Sequence, residues 1–308
     1  MHLRSSKVGP AVGLALLWVA GASAVQGQAD LSHWPQVRIQ LFALDAQSDP
    51  MAALSSDALV LKEGGQEQTI LAIKPDFEAQ SVCLLIDSSG SMQERLDSIR
   101  MAATRLLRSL PAEDEVCVAD FSWKLAIDQD LTQDRQADEA ALKNIKASGG
   151  TRLRDSLMGL SDYMRAAAKY RSRAILLLSD GSDNASMSSE EEMKRRMEMD
   201  GGAVVHVMCV PAISGQSVQG PSVGDGNMAR YIAKMFGGLA YLPRNRQDMD
   251  AAVDHLVHAM QTRYILTYQT HDPAPDGRER PMSVAFDKTH PHAKAVVRAP
   301  EGYYAPLQ

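Results

Sequence analysis

A chain of 308 residues with 32 Lys+Arg against 38 Asp+Glu carries a formal charge of −6, which gives no electrostatic footprint for nucleic acid or an anionic membrane. The length suggests two domains, 45% hydrophobic residues allow a sizeable core, and 5% aromatics argue against base-stacking platforms. Three cysteines exclude a disulfide-built scaffold and a four-cysteine zinc site.

Residues 1–24 read as a secretory signal: Arg4 and Lys7 precede an apolar run from Val8 to Ala20, and Ala22-Ser23-Ala24 is a small-residue cleavage site. Cleavage would place the mature start near Val25 and, by removing two cations, take the charge from −6 to −8. The competing reading is an uncleaved anchor, since Val8–Val25 has 18 residues without a charge. The first 30 residues hold no cysteine, which excludes a lipidated N-terminus. No later segment reads as a membrane span, so the expected location is periplasmic or secreted.

The segments that follow are β-rich. VRIQL (37–41) alternates with period two, and ALVLKEGGQEQTILAI (58–73) reads as a β-hairpin around a Glu-Gly-Gly turn. From residue 81 the pattern changes to buried strands alternating with amphipathic helices. SVCLLID (81–87), EVCVADF (115–121), AILLLSD (174–180), AVVHVMCV (203–210) and LAYLP (239–243) are the strands, with LAIDQDL (125–131) as an edge strand. Helical faces appear through Leu96, Ile99, Ala103, Leu106, Leu107 and Leu110, and through Leu153, Leu157, Leu160, Met164 and Ala167. Later faces run through Met228, Tyr231, Ile232 and Met235, and through Met249, Val253, Leu256, Val257 and Met260. Ser189 before Glu190, Glu191 and Glu192 reads as a capping box, which explains that acidic triplet without a metal. After residue 263, YILTY, MSVAF and AKAVVR return to strands.

The expected fold is therefore α/β: a doubly wound, mostly parallel sheet over 78–263, inserted into a small β-rich accessory domain made of 35–77 and 264–306.

One constellation carries chemistry. Asp87, Ser89 and Ser91 are two apart in an extended loop after a strand and can face one side. Thr151 follows Gly149-Gly150 before a helix, and Asp180 ends another strand ahead of Gly181. All three loops fall at carboxyl ends of parallel strands, where open α/β sheets bind ligands. The donor set is oxygen only and suits a hard cation, Mg²⁺ first, with Mn²⁺ or Ca²⁺ as alternatives, rather than zinc.

Asp-x-Ser-x-Ser, a later Gly-Gly-Thr and a Ser-Asp-Gly after an apolar strand resemble the von Willebrand factor type A domain, over about residues 80–262. Its metal-ion-dependent adhesion site is matched by Asp87, Ser89, Ser91, Thr151 and Asp180. The resemblance implies a Rossmann-like domain in which a partner protein's Asp or Glu completes the metal's coordination. The flanks, EGGQEQTI, Arg263-Tyr264-Ile265-Leu266 and Arg298 through Gly302-Tyr303-Tyr304-Ala305-Pro306, resemble the VWFA-related acidobacterial family. The expected function is exported, metal-dependent protein binding. The alternatives are a metal that only stabilises an envelope protein, or a Mg²⁺-dependent hydrolase.

Against catalysis, no second acid follows Asp87 as in Asp-x-Asp phosphatases, and Ser89 lacks a Gly-x-Ser-x-Gly elbow. Cys83, Cys117 and Cys209 read as small buried hydrophobes, with a Cys83–Cys117 disulfide open if their strands are neighbours. His255, His258, His290 and His292 read as solvated, without a second metal site. Lys194-Arg195-Arg196 reads as a salt-laced helix face, and Asn184-Ala185-Ser186 matches a glycosylation acceptor. Residues 211–226 read as a flexible loop on the metal-bearing edge, either a specificity element or an insertion. The last helix of the α/β region runs into Tyr264 without a linker, a route by which rearrangement at the metal would reach the β domain.

Overall fold

The computed structural model describes residues 29–199, 202–214, 217–219, 223–291 and 294–307; the expected signal segment lies outside the described residues. The first strands are β1 (Ala29–His33), β2 (Gln36–Leu44), β3 (Leu59–Glu63), β4 (Gln66–Gln68) and β5 (Ile70–Pro75). The α/β region then runs β6 (Ser81–Asp87), α1 (Leu96–Ser109), β7 (Glu115–Phe121), β8 (Leu125–Thr132), α2 (Arg135–Leu142), α3 (Leu153–Ala167) and β9 (Arg173–Leu178). It continues with α4 (Glu190–Met199), β10 (Val204–Met208), β11 (Ala212–Ser214), β12 (Ser217–Gln219), α5 (Val223–Met235), β13 (Ala240–Tyr241) and α6 (Arg246–Gln261). The chain closes with β14 (Tyr264–Gln269), β15 (Glu279–Phe286), β16 (Val296–Arg298) and β17 (Gly302–Tyr304).

The central sheet has six strands in the order β13-β10-β9-β6-β7-β8, all parallel except the edge strand β8. Every residue of β6 and β9 is buried, because helices cover both faces of the sheet. Val82, Leu84 and Ile86 point to a core shared with α1 and α6, while Cys83 and Leu85 point to one shared with α3, α4 and α5. The order reverses between β6 and β9, so the loops after these two strands form a crevice at their carboxyl ends.

The flanking strands form two further sheets, one with β14 between β2 and β5, the other in the order β17-β15-β3-β4. Segments from before and after the α/β region thus share one core, with Ile39, Leu41, Leu61, Leu266 and Tyr303 at its centre. The hairpin expectation over 58–73 is half met. β3 and β4 pair around Gly64-Gly65, but the return run breaks at Thr69 and β5 crosses to the other sheet, where Ile70 and Ile73 pack against the shared core.

Three further expectations change. Cys83 and Cys117 stand opposite each other on β6 and β7, with Cα atoms 4.6 Å apart, and form a disulfide; Cys209, buried, is not disulfide-bonded. Parallel register decides this pairing, which the spacing of cysteines along a chain does not reveal. His255 is half-buried and partnered: its Nδ1 lies 2.8 Å from the Tyr241 hydroxyl and its Nε2 2.6 Å from the Ser48 carbonyl. Within 211–226, β11 and β12 form an antiparallel hairpin; residues 215, 216 and 220–222 lie outside the described residues. Helix α2 is an element the strand and helix patterns above do not include; Asp134 caps it by accepting from the N–H groups of Gln136 at 2.9 Å and Ala137 at 3.2 Å.

The disulfide predicts a thiol count. Alkylation of the denatured, unreduced chain should label Cys209 alone, and reduction should cost about 2–4 kcal/mol of stability. Three labelled thiols without reductant would refute the pairing.

Asp138 on α2 makes stability depend on pH. It is fully buried, one carboxylate oxygen lacks a partner, and Arg135 Nη1 is 3.4 Å from the other; burial pushes the carboxyl up to about 7. Its folded value lies above its unfolded one, so the folded state holds a proton that the unfolded state releases between about pH 4 and 7. Asp138 therefore removes stability as pH rises through that window. Wild type should lose on the order of 2 kcal/mol relative to Asp138→Asn between pH 4.5 and 7.5 in urea denaturation. Parallel pH profiles would refute this.

Among the described residues no helix is long and apolar enough to cross a membrane.

Candidate metal centre

Asp87 ends β6 and Ser179-Asp180 follows β9, so the paired register Ile86↔Leu178 sets the two carboxylates on either side of the switch point. Asp87 is wholly buried. Its Oδ2 accepts from Ser179 Oγ at 2.6 Å and its Oδ1 from the Ser89 N–H at 2.9 Å. Burial raises the Asp87 carboxyl above its usual range; hydrogen bonds from Ser179 and Ser89 oppose this, and the nearby charge of Asp180 adds to it. Asp180 is 7% exposed, accepts from the Ser182 N–H at 2.9 Å, and has Arg95 Nη1 at 3.6 Å from Oδ2. Arg95 had not been anticipated. It ends the 3₁₀ turn Gly90–Arg95, one turn beyond the Asp-x-Ser-x-Ser run, and that spacing was the only signal.

Ser89 and Ser91 bring their hydroxyl oxygens to 3.1 Å of each other. Thr151 is 1% exposed and is placed by its backbone: its N–H donates to Asn184 Oδ1 at 2.9 Å, and its carbonyl accepts from the N–H groups of Asn184 and Ala185 at 3.1 Å. Asn184, read from sequence only as a glycosylation acceptor, is thus a positioning residue for Thr151. The Gly90 N–H donates to the Gly149 carbonyl at 3.0 Å and the Ser148 N–H to the Ser88 carbonyl at 2.7 Å, so the first two loops are tied directly. Gly149 and Gly181 both stand at φ +83°, the left-handed region that allows each loop to reverse beside its polar residue.

The five residues named from sequence therefore lie on three loops gathered at one end of the sheet; two of these follow β6 and β9 as expected, but the loop with Thr151 joins α2 to α3 instead of following a parallel strand, and its hydrogen bonds to the β6 loop bring it there. The donor set is two carboxylates and three hydroxyls. Among the described residues there is no group of three or more His, Cys, Asp or Glu that could hold a metal ion, so a site here would rest on hydroxyls as well as on the two carboxylates. The Ser89 and Ser91 hydroxyls share a hydrogen bond, so both oxygens face one point between the loops. The residues present fit a small hard cation.

Residues 82–182, from β6 through the loop after β9, match the family model of the von Willebrand factor type A domain. The chain is similar to calcium-activated chloride channel regulator 1 of Equus caballus, 28% identical over 181 residues, which cover 56% of this chain and 18% of that protein. It is also similar to an uncharacterized protein of Synechocystis sp., 30% identical over 105 residues, covering 33% of this chain and 25% of the relative. The chain thus spans a quarter or less of the length of these curated relatives. Among solved structures it is similar to a von Willebrand factor type A protein from Catenulispora acidiphila, at 11% identity and a TM-score of 0.48, with 91% of this chain and 75% of that one covered. The match runs through all five candidate positions and the switch-point strands, and the fold is the α/β type of that family, a mixed sheet with helices on both faces, accompanied by an additional β-rich region.

Proposed function

We propose that this chain is an exported, non-enzymatic protein-binding module in which Asp87, Ser89, Ser91, Thr151 and Asp180 hold a divalent cation, Mg²⁺ in the first place, as a metal-ion-dependent adhesion site. The observation that carries the reading is the gathering of an all-oxygen donor set at the switch point, with Ser89 Oγ and Ser91 Oγ 3.1 Å apart. A bound cation supplies positive charge and a coordination position for one acidic side chain of a partner protein. The chain's own part is to fix the donors. Asp87 is oriented by Ser179 and the Ser89 N–H, Asp180 by the Ser182 N–H, and Thr151 by Asn184. Two carboxylates balance the charge of one divalent ion, and Arg95 beside Asp180 tips the site positive, which favours an anionic partner group.

The hydrogen bonds between the first two loops weigh against an ion with a purely structural task, because these loops are already joined without one. A buried disulfide suits an oxidising compartment and supports export.

The test is binding of acidic peptides to the full chain in Mg²⁺, in EDTA, and with Thr151→Ala. Binding should be lost in EDTA and weakened at least about tenfold by Thr151→Ala. Equal binding in all three conditions would sink the proposal.

A further inference from the structure

The metal-bearing end of the domain also carries exposed apolar side chains whose placement is unusual. Trp123 sits in the turn between β7 and β8 and is 57% exposed. An isolated exposed leucine needs no explanation, but an exposed tryptophan held in one place does. Its ring lies on the backbone of Gly149 and Gly150. A Cβ on Gly150 would stand 2.8 Å from Trp123 Cη2, and one on Gly149 would meet the pyrrole edge of the ring even more closely. The glycines before Thr151 therefore also form the seat of an indole. The turn itself is fixed: the Ser122 N–H donates to the Lys124 carbonyl at 3.2 Å, and the Ser122 carbonyl accepts from the Arg152 N–H at 3.0 Å.

Across the crevice the same device recurs. Gly181, directly after Asp180, packs against Met228 of α5; a Cβ there would be 3.3 Å from Met228 Cβ and Cγ. Met228 is 43% exposed, and Met187, in the loop whose Met187 N–H donates to Asp155 Oδ2 at 3.0 Å, is 84% exposed. A rigid aromatic on one side of the oxygen donors and polarisable thioethers on the other make a collar around them.

We propose that this collar selects the partner: Trp123 and Met228 receive large apolar side chains flanking the acidic residue that the partner presents, with Trp123 the main specificity contact. The inference rests on the metal-dependent binding proposed above. It assigns to the partner a motif, an Asp or Glu between bulky apolar residues, rather than acidity alone. Indole is suited to this task because it offers a large contact area with few torsions to immobilise.

The test uses fluorescent nine-residue peptides with a central Asp flanked either by Leu and Phe or by Gly and Ser, titrated with the full chain in Mn²⁺ and in EDTA. Apolar flanks should tighten Mn²⁺-dependent binding about tenfold. Trp123→Ala should reduce that preference to under about threefold while leaving affinity for Mn²⁺ alone within about twofold. Should Trp123→Ala disturb Mn²⁺ binding itself, Met228→Ser, which leaves the seat on Gly149 and Gly150 untouched, must lower the preference instead. Metal-dependent binding with no flank preference, or with a preference that both variants retain, overturns this inference and leaves the metal-dependent reading standing. Absence of Mn²⁺-dependent binding to either peptide class overturns both.

Discussion

Asp87→Asn should lower the affinity of the full chain for Mg²⁺ and Mn²⁺ by at least about 100-fold, or about 2.8 kcal/mol, in a calorimetric titration. Asp87 is the deepest of the candidate ligands, with no exposed surface, and its two oxygens already accept from Ser179 and the Ser89 N–H. Asparagine retains the acceptor toward the Ser89 N–H and can donate to the Ser179 hydroxyl, so the loop should keep its course while the charge is lost. The charge matters for two reasons. A divalent ion facing three neutral hydroxyls and Asp180 alone would keep an uncompensated charge in a poorly solvated crevice, with Arg95 already 3.6 Å from Asp180. Without metal, in contrast, the ionised Asp87 is a burden, since burial raises its carboxyl above the usual range. Thermal unfolding separates these effects. The variant should be no less stable than wild type in EDTA, yet lack the stabilisation that saturating Mg²⁺ gives to wild type through linkage. A variant that Mg²⁺ still stabilises as strongly as wild type would show that Asp87 holds no metal.

Glu63→Ala should destabilise the β-rich region by about 3–5 kcal/mol. Glu63 ends β3 and is 5% exposed. Its Oε2 accepts from the hydroxyls of Tyr268 at 2.6 Å and Tyr303 at 2.8 Å, and its Oε1 accepts from Thr270 Oγ1. Burial pushes both phenols well above their usual range, so they remain protonated donors at every working pH. One carboxylate thereby joins the segment before the α/β region to β14 and β17 after it. Removing it takes the shared carboxylate acceptor from three buried hydroxyls, at about 1–3 kcal/mol each where no neighbour replaces it, less what contacts such as Thr270 with the Asp272 carbonyl recover. Tyr303→Phe, which removes only one donor, should cost about 1 kcal/mol. Urea denaturation followed by tyrosine fluorescence reads both variants. A loss under about 1 kcal/mol for Glu63→Ala would mean that the three hydroxyls find other partners.

These two carboxylates differ in how far they could be read in advance. Asp87 stands in a short local pattern after an apolar strand, and local patterns survive in sequence because side chains two apart in an extended loop face the same way. Thr151 and Asp180 follow for a similar reason, each beside a glycine that lets its loop turn. Glu63 has no such signature. In the chain it is the first residue of a Glu-Gly-Gly turn, and only the return of β14 and β17 supplies the hydroxyls that make it a buried hub. Arg95, Asn184 and Trp123 belong to the same class, because what each does is set by a loop far away in sequence: Asp180, Thr151 and the Gly149-Gly150 seat.

By itself the sequence determined the alternation of buried strands and amphipathic helices, hence a doubly wound sheet, and the oxygen donors Asp87, Ser89, Ser91 and Asp180 that follow two of its strands, whereas Thr151 lies between α2 and α3. Periodicity and strand-end chemistry are local, and local order is written residue by residue. The tertiary structure decided strand register and loop contact: the pairing of Cys83 with Cys117, the crossing of β5 to the second sheet, the partners of His255, and the indole standing beside Thr151. Such contacts join residues tens to hundreds of positions apart, and chain spacing holds no record of which strand becomes whose neighbour.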